Sequence, residues 1–314
     1  MAGDGGGEVL DLVLLTLAAC RVEVGAPGAT PTAGWTHEVW VYTSMYPEVV
    51  DAMDTKVEAD LPGISVEWWQ AGSEKVAQRW EAEHAAGGSR ACVLATSDPL
   101  WYVDLTGRGL LRPHLPPRAA TLDRAWATPT WSAFRLSRMV LASHGEGPTS
   151  FLGLTDPKWK DRFSTPDPLS SGTTFYALSV LEDRLGTAYF ASLRANGWVA
   201  AGGNAAVLTR MESGERPVGM ILEENLRARP NSPVRTITPE EGPIVVPGPA
   251  AIPTDCPDPA AAERVMDWLF GEAAEKEVLA AHMMSPFSGV AGGEVGRLAQ
   301  GAADRRQRLQ ALLR

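Results

Sequence analysis

From residue 38 onward the apolar positions follow two alternating periods. Val39-Trp40-Val41-Tyr42 is a short β-rich run that breaks at Thr43-Ser44, and Pro47 to Met53 opens a helix with proline in its first turn. Gly63 to Trp69 repeats the strand pattern after a turn, and Gly72-Ser73-Glu74 leads into a helical stretch, Lys75 to Glu83. A third strand, Ala91 to Thr96, ends at Ser97-Asp98-Pro99, and Leu100 to Leu115 reads as a helix and turn. Three strand–helix units in succession predict an α/β fold whose parallel sheet is covered on both faces. Ligands of such sheets sit outside the carboxyl ends of the strands. Those ends are Tyr42-Thr43-Ser44, Gly72-Ser73-Glu74 and Ser97-Asp98, all small or polar.

A second series follows. Phe134 to Ser143 alternates as a strand, and Asp167 to Phe175 reads as a loop turning into a helix that runs through Leu185. The start of that helix, Ser170-Ser171-Gly172-Thr173, is suited to an anion: the first backbone N–H groups lack internal partners, and the macrodipole is positive there. The same residues equally suit an ordinary N-cap. Gly202-Gly203-Asn204 starts another helix, and alone Asn204 would be a cap. Val218 to Leu222 is a buried-looking strand that ends at Glu223-Glu224-Asn225. Val234 to Thr238 and Ile244 to Pro247 are strands that return to the first series. Asp258 to Phe270 and Glu272 to Met283 are amphipathic helices, and Leu298 to Arg314 reads as a basic, fraying tail.

The chain has 314 residues, 45% hydrophobic and 21% charged, enough for two α/β lobes with a core each. Its net charge of −10 is carried by dispersed acids, which excludes a nucleic-acid or anionic-membrane partner. The five histidines lie in separate segments, and no nucleotide or nucleophile fingerprint is present, so no cofactor is expected. Three cysteines are too few and too scattered for a disulfide framework or a metal cluster, and Cys92 has the apolar neighbours of an inert strand position. Cys20 differs. It follows an apolar run too short for a membrane span, and Leu17-Ala18-Ala19-Cys20 resembles the lipobox of bacterial lipoproteins, although the first eleven residues carry acids and no lysine or arginine. Residues 1–20 are therefore expected to be a lipoprotein signal segment with lipidation at Cys20, and residues 21–37 a tether.

Val41-Tyr42-Thr43-Ser44, Gly63-Ile64-Ser65-Val66-Glu67, Gly72-Ser73-Glu74 and Gly109 to Pro113 together resemble the extracellular solute-binding proteins of ABC importers, in the branch that includes ferric-ion-binding proteins. Leu154 to Arg162, Asp167 to Thr174, Gly214-Glu215 and Pro239 to Gly242 continue the likeness, which covers about residues 38 to 290. The resemblance implies a two-lobed periplasmic-binding-protein fold of type II, each lobe a mostly parallel sheet flanked by helices. Residues 38–130 and 241–314 would form lobe 1, and 131–240 lobe 2. It further implies a monomer, periplasmic or cell-surface, that closes by hinge motion on a small-molecule or metal–anion ligand and delivers it to an ABC permease. The ligand would lie between Tyr42, Thr43, Ser44, Gly72, Ser73, Glu74, Ser97, Asp98 and Trp131 on one side and Ser171, Gly172, Thr173, Asn204, Glu223 and Glu224 on the other. In iron-binding relatives adjacent tyrosines supply phenolate ligands near this place; here Glu223 and Glu224 stand instead, which suits an ammonium group or a hard metal ion rather than ferric tyrosinate chemistry. The rival reading is an enzyme on the same fold acting on a small phosphorylated or carboxylated molecule, for which no activated nucleophile is evident.

Overall fold

In the strand β1 (His37–Thr43), alternate side chains enter different cores. Val39 and Val41 pack with Val49, Val50, Met53 and Val57 of helix α1 (Pro47–Asp60), whereas Tyr42 faces the opposite way, toward Val76 and Trp80 of α2 (Ser73–Ala85). The sheet thus carries helices on both faces. β1 lies between β2 (Ile64–Gln70) and β3 (Ala91–Ala95), parallel to both, and α3 (Pro99–Gly107) follows β3. The computed structural model describes residues 35–291 and 293–313. Cys20, the expected signal segment and most of the expected tether lie outside the described residues.

β4 (Ser132–His144) is the longest strand and belongs to both series. After it come β5 (Phe163–Thr165), α4 (Gly172–Leu185), α5 (Thr187–Ala195), β6 (Val199–Ala200), α6 (Asn204–Ser213), β7 (Val218–Leu222), the short α7 (Glu223–Arg227), β8 (Val234–Ile237) and β9 (Ile244–Ala251). The strands join in one sheet ordered β2-β1-β3-β9-β4-β7-β5-β6, with β8 also on β4. β5 is parallel to β6 and β7, but β3/β9, β9/β4 and β4/β7 are antiparallel. The sheet is therefore mixed: two parallel triplets are joined by an antiparallel centre, where β9 and then β8 pair with successive stretches of β4.

Three local expectations change. The returning strand continues through Pro247 and Pro249 to Ala251, because β3 pairs only with Ala250 and Ala251 and makes no demand on the missing proline N–H groups. Glu223 and Glu224 do not end a strand but open α7, where acids suit the positive helix end. The basic C-terminal stretch does not fray. After α8 (Pro259–Leu269), α9 (Glu272–Ala280) and α10 (Val295–Ala299), the helix α11 (Ala302–Leu313) buries Leu309 and places its arginines on acids of α2, α4 and the β3–α3 turn.

Cys92 is also not an inert thiol. It forms a disulfide with Cys256, Cα–Cα 4.5 Å, across a separation of 164 residues. The bond ties β3 to the segment that follows β9. Closing so long a loop should stabilise the fold by about 2–4 kcal/mol, so denaturant unfolding of the Cys92→Ala, Cys256→Ala double variant should show a loss of that size. An unchanged midpoint and slope would mean that the bond adds nothing to stability.

Candidate functional site

The strand ends and helix starts converge on a cavity of about 180 Å³ lined by Ser44, Gly72, Ser73 and Ser97 from the β1–β3 side and Ser171, Gly172, Thr173 and Asn204 from the β5–β7 side. Met45, Tyr46, Ser170, Gly203 and Leu222 also reach it, as does Arg135. Contact between the two sides is close. A Cβ placed on Gly172 would lie 2.8 Å from the Asp98 Cβ and 2.9 Å from the Ser73 Cβ, and one on Gly72 would lie 3.2 Å from the Ser170 carbonyl oxygen. The Tyr46 hydroxyl also donates to Asn225 Oδ1 at 3.4 Å across the same cleft.

Arg135, unnoticed in the sequence, dominates the electrostatics. Only 4% of it is exposed. The register of β4 against β9 slips between Ala133 and Arg135, a bulge that leaves Phe134 without a ladder partner and re-aims the next side chain. Gly248 opposite makes room: a Cβ there would lie 2.7 Å from Arg135 Cγ and 2.9 Å from its Cζ. The guanidinium donates from Nη2 to Ser97 Oγ at 2.6 Å and from Nη1 to Met283 Sδ at 3.7 Å, while Nε has no partner. Among the described residues no carboxylate lies within ion-pair distance of it. Burial pulls its pKa down, against the opposing influence of Tyr46 and Glu224.

Hydroxyl groups surround this cation. Ser44 Oγ lies 3.1 Å from Ser97 Oγ and accepts from Ser73 Oγ at 3.0 Å, and Ser73 Oγ accepts the Ser97 N–H at 3.3 Å. Opposite, Ser171 caps α4 by accepting the Thr174 N–H at 3.4 Å and lies 3.0 Å from Thr173 Oγ1. The starts of α2 and α6 have no side-chain cap, so their first N–H groups are free for a ligand. Asn204 Oδ1 accepts the Leu222 N–H at 3.3 Å, fixing the α6 start to the end of β7. Three positive helix ends and one buried guanidinium thus line one cavity, and the donors they carry are of the kind that suits an oxyanion.

Other expected residues lie elsewhere. Tyr42 is in the core, its hydroxyl on Glu83, and Thr43 donates to the Ala95 carbonyl at 2.9 Å. Glu74 pairs with Arg306 at 2.7 Å, and Trp131 lines a separate crevice of about 960 Å³ beside α10. Glu223 is neutralised by Arg138 at 2.8 Å and Arg227 at 2.9 Å. Glu224 is buried and accepts from Ser137 at 2.7 Å; burial raises its pKa, and it does not line the cavity. The described residues contain no cluster of three or more His, Cys, Asp or Glu able to hold a metal ion.

Residues 38–282 match the sequence profile described as bacterial extracellular solute-binding protein. No curated protein matches the sequence significantly. Among solved structures, iron-bound HitA from Pseudomonas aeruginosa is 18% identical with a TM-score of 0.75, the likeness covering 88% of this chain and 99% of that one. The substrate-binding protein of an ABC transporter from Agrobacterium tumefaciens is also 18% identical with a TM-score of 0.75, covering 90% and 96%. AfuA from Actinobacillus pleuropneumoniae, with fructose-6-phosphate bound, is 20% identical with a TM-score of 0.72, covering 87% and 96%. At these identities the likenesses show the fold.

Asp98 provides a test of the site's electrostatics. It caps α3 through the Leu100 N–H at 3.1 Å, and its other oxygen accepts from Arg306 at 2.7 Å. Burial raises its pKa to about 6, against the attraction of Arg306 and with the repulsion of Glu74. The folded chain therefore holds this proton to higher pH than the unfolded one, so the associated stability is full below 3.8 and is lost as pH rises through about 6. In denaturant unfolding, the chain should lose stability relative to Asp98→Asn as pH rises through that window; a pH-independent difference would show that Asp98 does not titrate there.

Proposed function

Because the chain belongs to the bacterial extracellular solute-binding protein family, we propose that it is the substrate-binding component of an ABC importer, specific for a small ligand with an oxyanion head. The observation that carries this reading is Arg135, a buried cation without a carboxylate partner, facing a cavity at which three helix starts meet. A phosphate, phosphonate or carboxylate head would take donors from the guanidinium, from the serine hydroxyls and from the first N–H groups of α2, α4 and α6. The small cavity favours a compact head group over a polyamine, which would leave these donors unused. Glu223 already holds two arginines, so it offers little to a cationic arm. The fructose-6-phosphate bound to AfuA and the transporter role of the Agrobacterium protein are in keeping with this reading.

The sheet gives the binder its moving parts. In this reading residues 38–130 with the segment from 241 through α9 are one lobe and residues 131–240 the other, with α11 anchored on α4 of the second; β4 and the β8–β9 return are the crossing strands, and closure would bring Gly72, Ser73 and Asp98 onto Ser170 and Gly172. The solute-binding family supports binding without turnover. The Cys92–Cys256 bond suits an oxidising, extracytoplasmic compartment, in which a lipid on Cys20 would hold the monomer near its permease.

The test uses inorganic phosphate, an alkylphosphonate and fructose 6-phosphate in thermal-shift and calorimetric titrations. At least one should stabilise the chain without being converted. Arg135→Met should weaken binding by at least about thirtyfold, because it removes the charge partner of a buried anion. The same change should stabilise the empty protein, since an uncompensated buried charge is removed. Ser171→Ala with Thr173→Ala should weaken binding about tenfold. Unchanged affinity in Arg135→Met would sink the oxyanion reading.

A further inference from the structure

α11 lies on both sides of the cleft, and its two attachments differ in kind. On α4, the buried carboxylate of Glu182 accepts from Arg305 at 2.7 Å and from Arg308 at 2.7 and 3.0 Å, with Leu309 buried beside it. Burial alone would raise the Glu182 pKa, but Arg308 and Arg305 outweigh it and hold the carboxyl below its ordinary range. This anchor is strong. Across the cleft, a single side chain makes the ionic attachment: Arg306 donates to Glu74 in the first turn of α2 and to Asp98 at the α3 cap, each at 2.7 Å. Its guanidinium also stacks over Phe175 of α4, 4.0 Å from the ring centroid. Arg306 therefore joins the two sides at the point where Gly172 abuts Ser73 and Asp98, beside the cavity.

The surroundings of the strap leave room for release. A crevice of about 510 Å³ separates α11 from α3, bounded by Trp101, Asp104, Ala302 and Arg306, and the crevice of about 960 Å³ lies against α10. Helix α11 begins at residue 302, beyond the residues 38–282 matched by the family profile.

We propose that α11 is an intrachain strap, anchored on α4 through Glu182, whose Arg306 pins the two lobes closed by holding Glu74 and Asp98. The inference rests on the two-lobed reading but not on the identity of the ligand. With the pin seated, the helix starts of α2 and α4 are held together in the empty protein. With it released, they part, and ligand enters or leaves. The strap thus sets exchange rate as well as affinity.

Hydrogen exchange and small-angle scattering on the ligand-free, full-length chain test the strap. Arg306→Gln should raise exchange at residues 73–75 and 172–174 by at least about fivefold and enlarge the radius of gyration, while the amides of β1, β3 and β7 stay protected. Arg306→Lys, which keeps the charge, should fall between Arg306→Gln and the unaltered chain. Unchanged exchange at both helix starts would overturn the proposal, as would an increase confined to α11 or one that spreads to the central strands. Phosphate titration of the same variants keeps the two ideas apart. An Arg306→Gln chain that opens yet binds no phosphate, as the unaltered chain also would not, removes the oxyanion reading and leaves the strap standing.

Discussion

The structure depends on a charge it does not neutralise. A guanidinium in the interior is costly unless its donors are met and a counter-charge is near. Arg135 has Ser97 and a thioether, and the positive ends of α2, α4 and α6 add to the field rather than oppose it. Such an arrangement persists only on a stiff support. The bulge in β4, the missing side chain at Gly248 and the hydroxyl chain through Ser97, Ser44 and Ser73 each fix one degree of freedom of the group. In the proposed reading an oxyanion would supply the counter-charge that no ion-pair contact gives Arg135.

Most acids near the cleft are already paired with arginines; Glu224 is the exception, held by Ser137 and attracting Arg135 without an ion-pair contact. Glu74 and Asp98 share Arg306, Glu223 takes Arg138 and Arg227, and Glu182 takes Arg305 and Arg308. The protein as a whole has a net charge of −10, so its overall sign is opposite to that of the cavity. Global charge shapes long-range encounter; the local field decides which ligand stays.

Much of the fold was legible because its signals are local. The main strand and helix periods and the Ser171 start of α4 agree with the structure, and eight of the expected residues, Gly72 and Gly172 among them, line the cavity. The failures involve longer range. Tyr42 lies in the body of β1, covered by the α2 core, whereas Ser44 follows the end of that strand, where the chain opens into the cavity. Arg135 was hidden because a bulge is a relation between two strands, and neither strand alone announces it. Cys92 and Cys256 sit 164 residues apart in unremarkable contexts, so only the sheet order brings them together. The tail read as fraying because its basic residues have their acids more than a hundred residues away, on α2 and α4.

The antiparallel pairing of β4 with β9 and β8 has a mechanical side. Strands β4, β8 and β9, joined edge to edge by ladder hydrogen bonds, carry the chain between the two parallel triplets. The Cys92–Cys256 bond clamps the region just beyond one end of this crossing to β3, so a closure of the proposed kind would have to bend the stretch between that clamp and β7. With one end of the crossing so fixed, a closure of the two halves would bring the cavity's donors together from opposite sides along a restricted path.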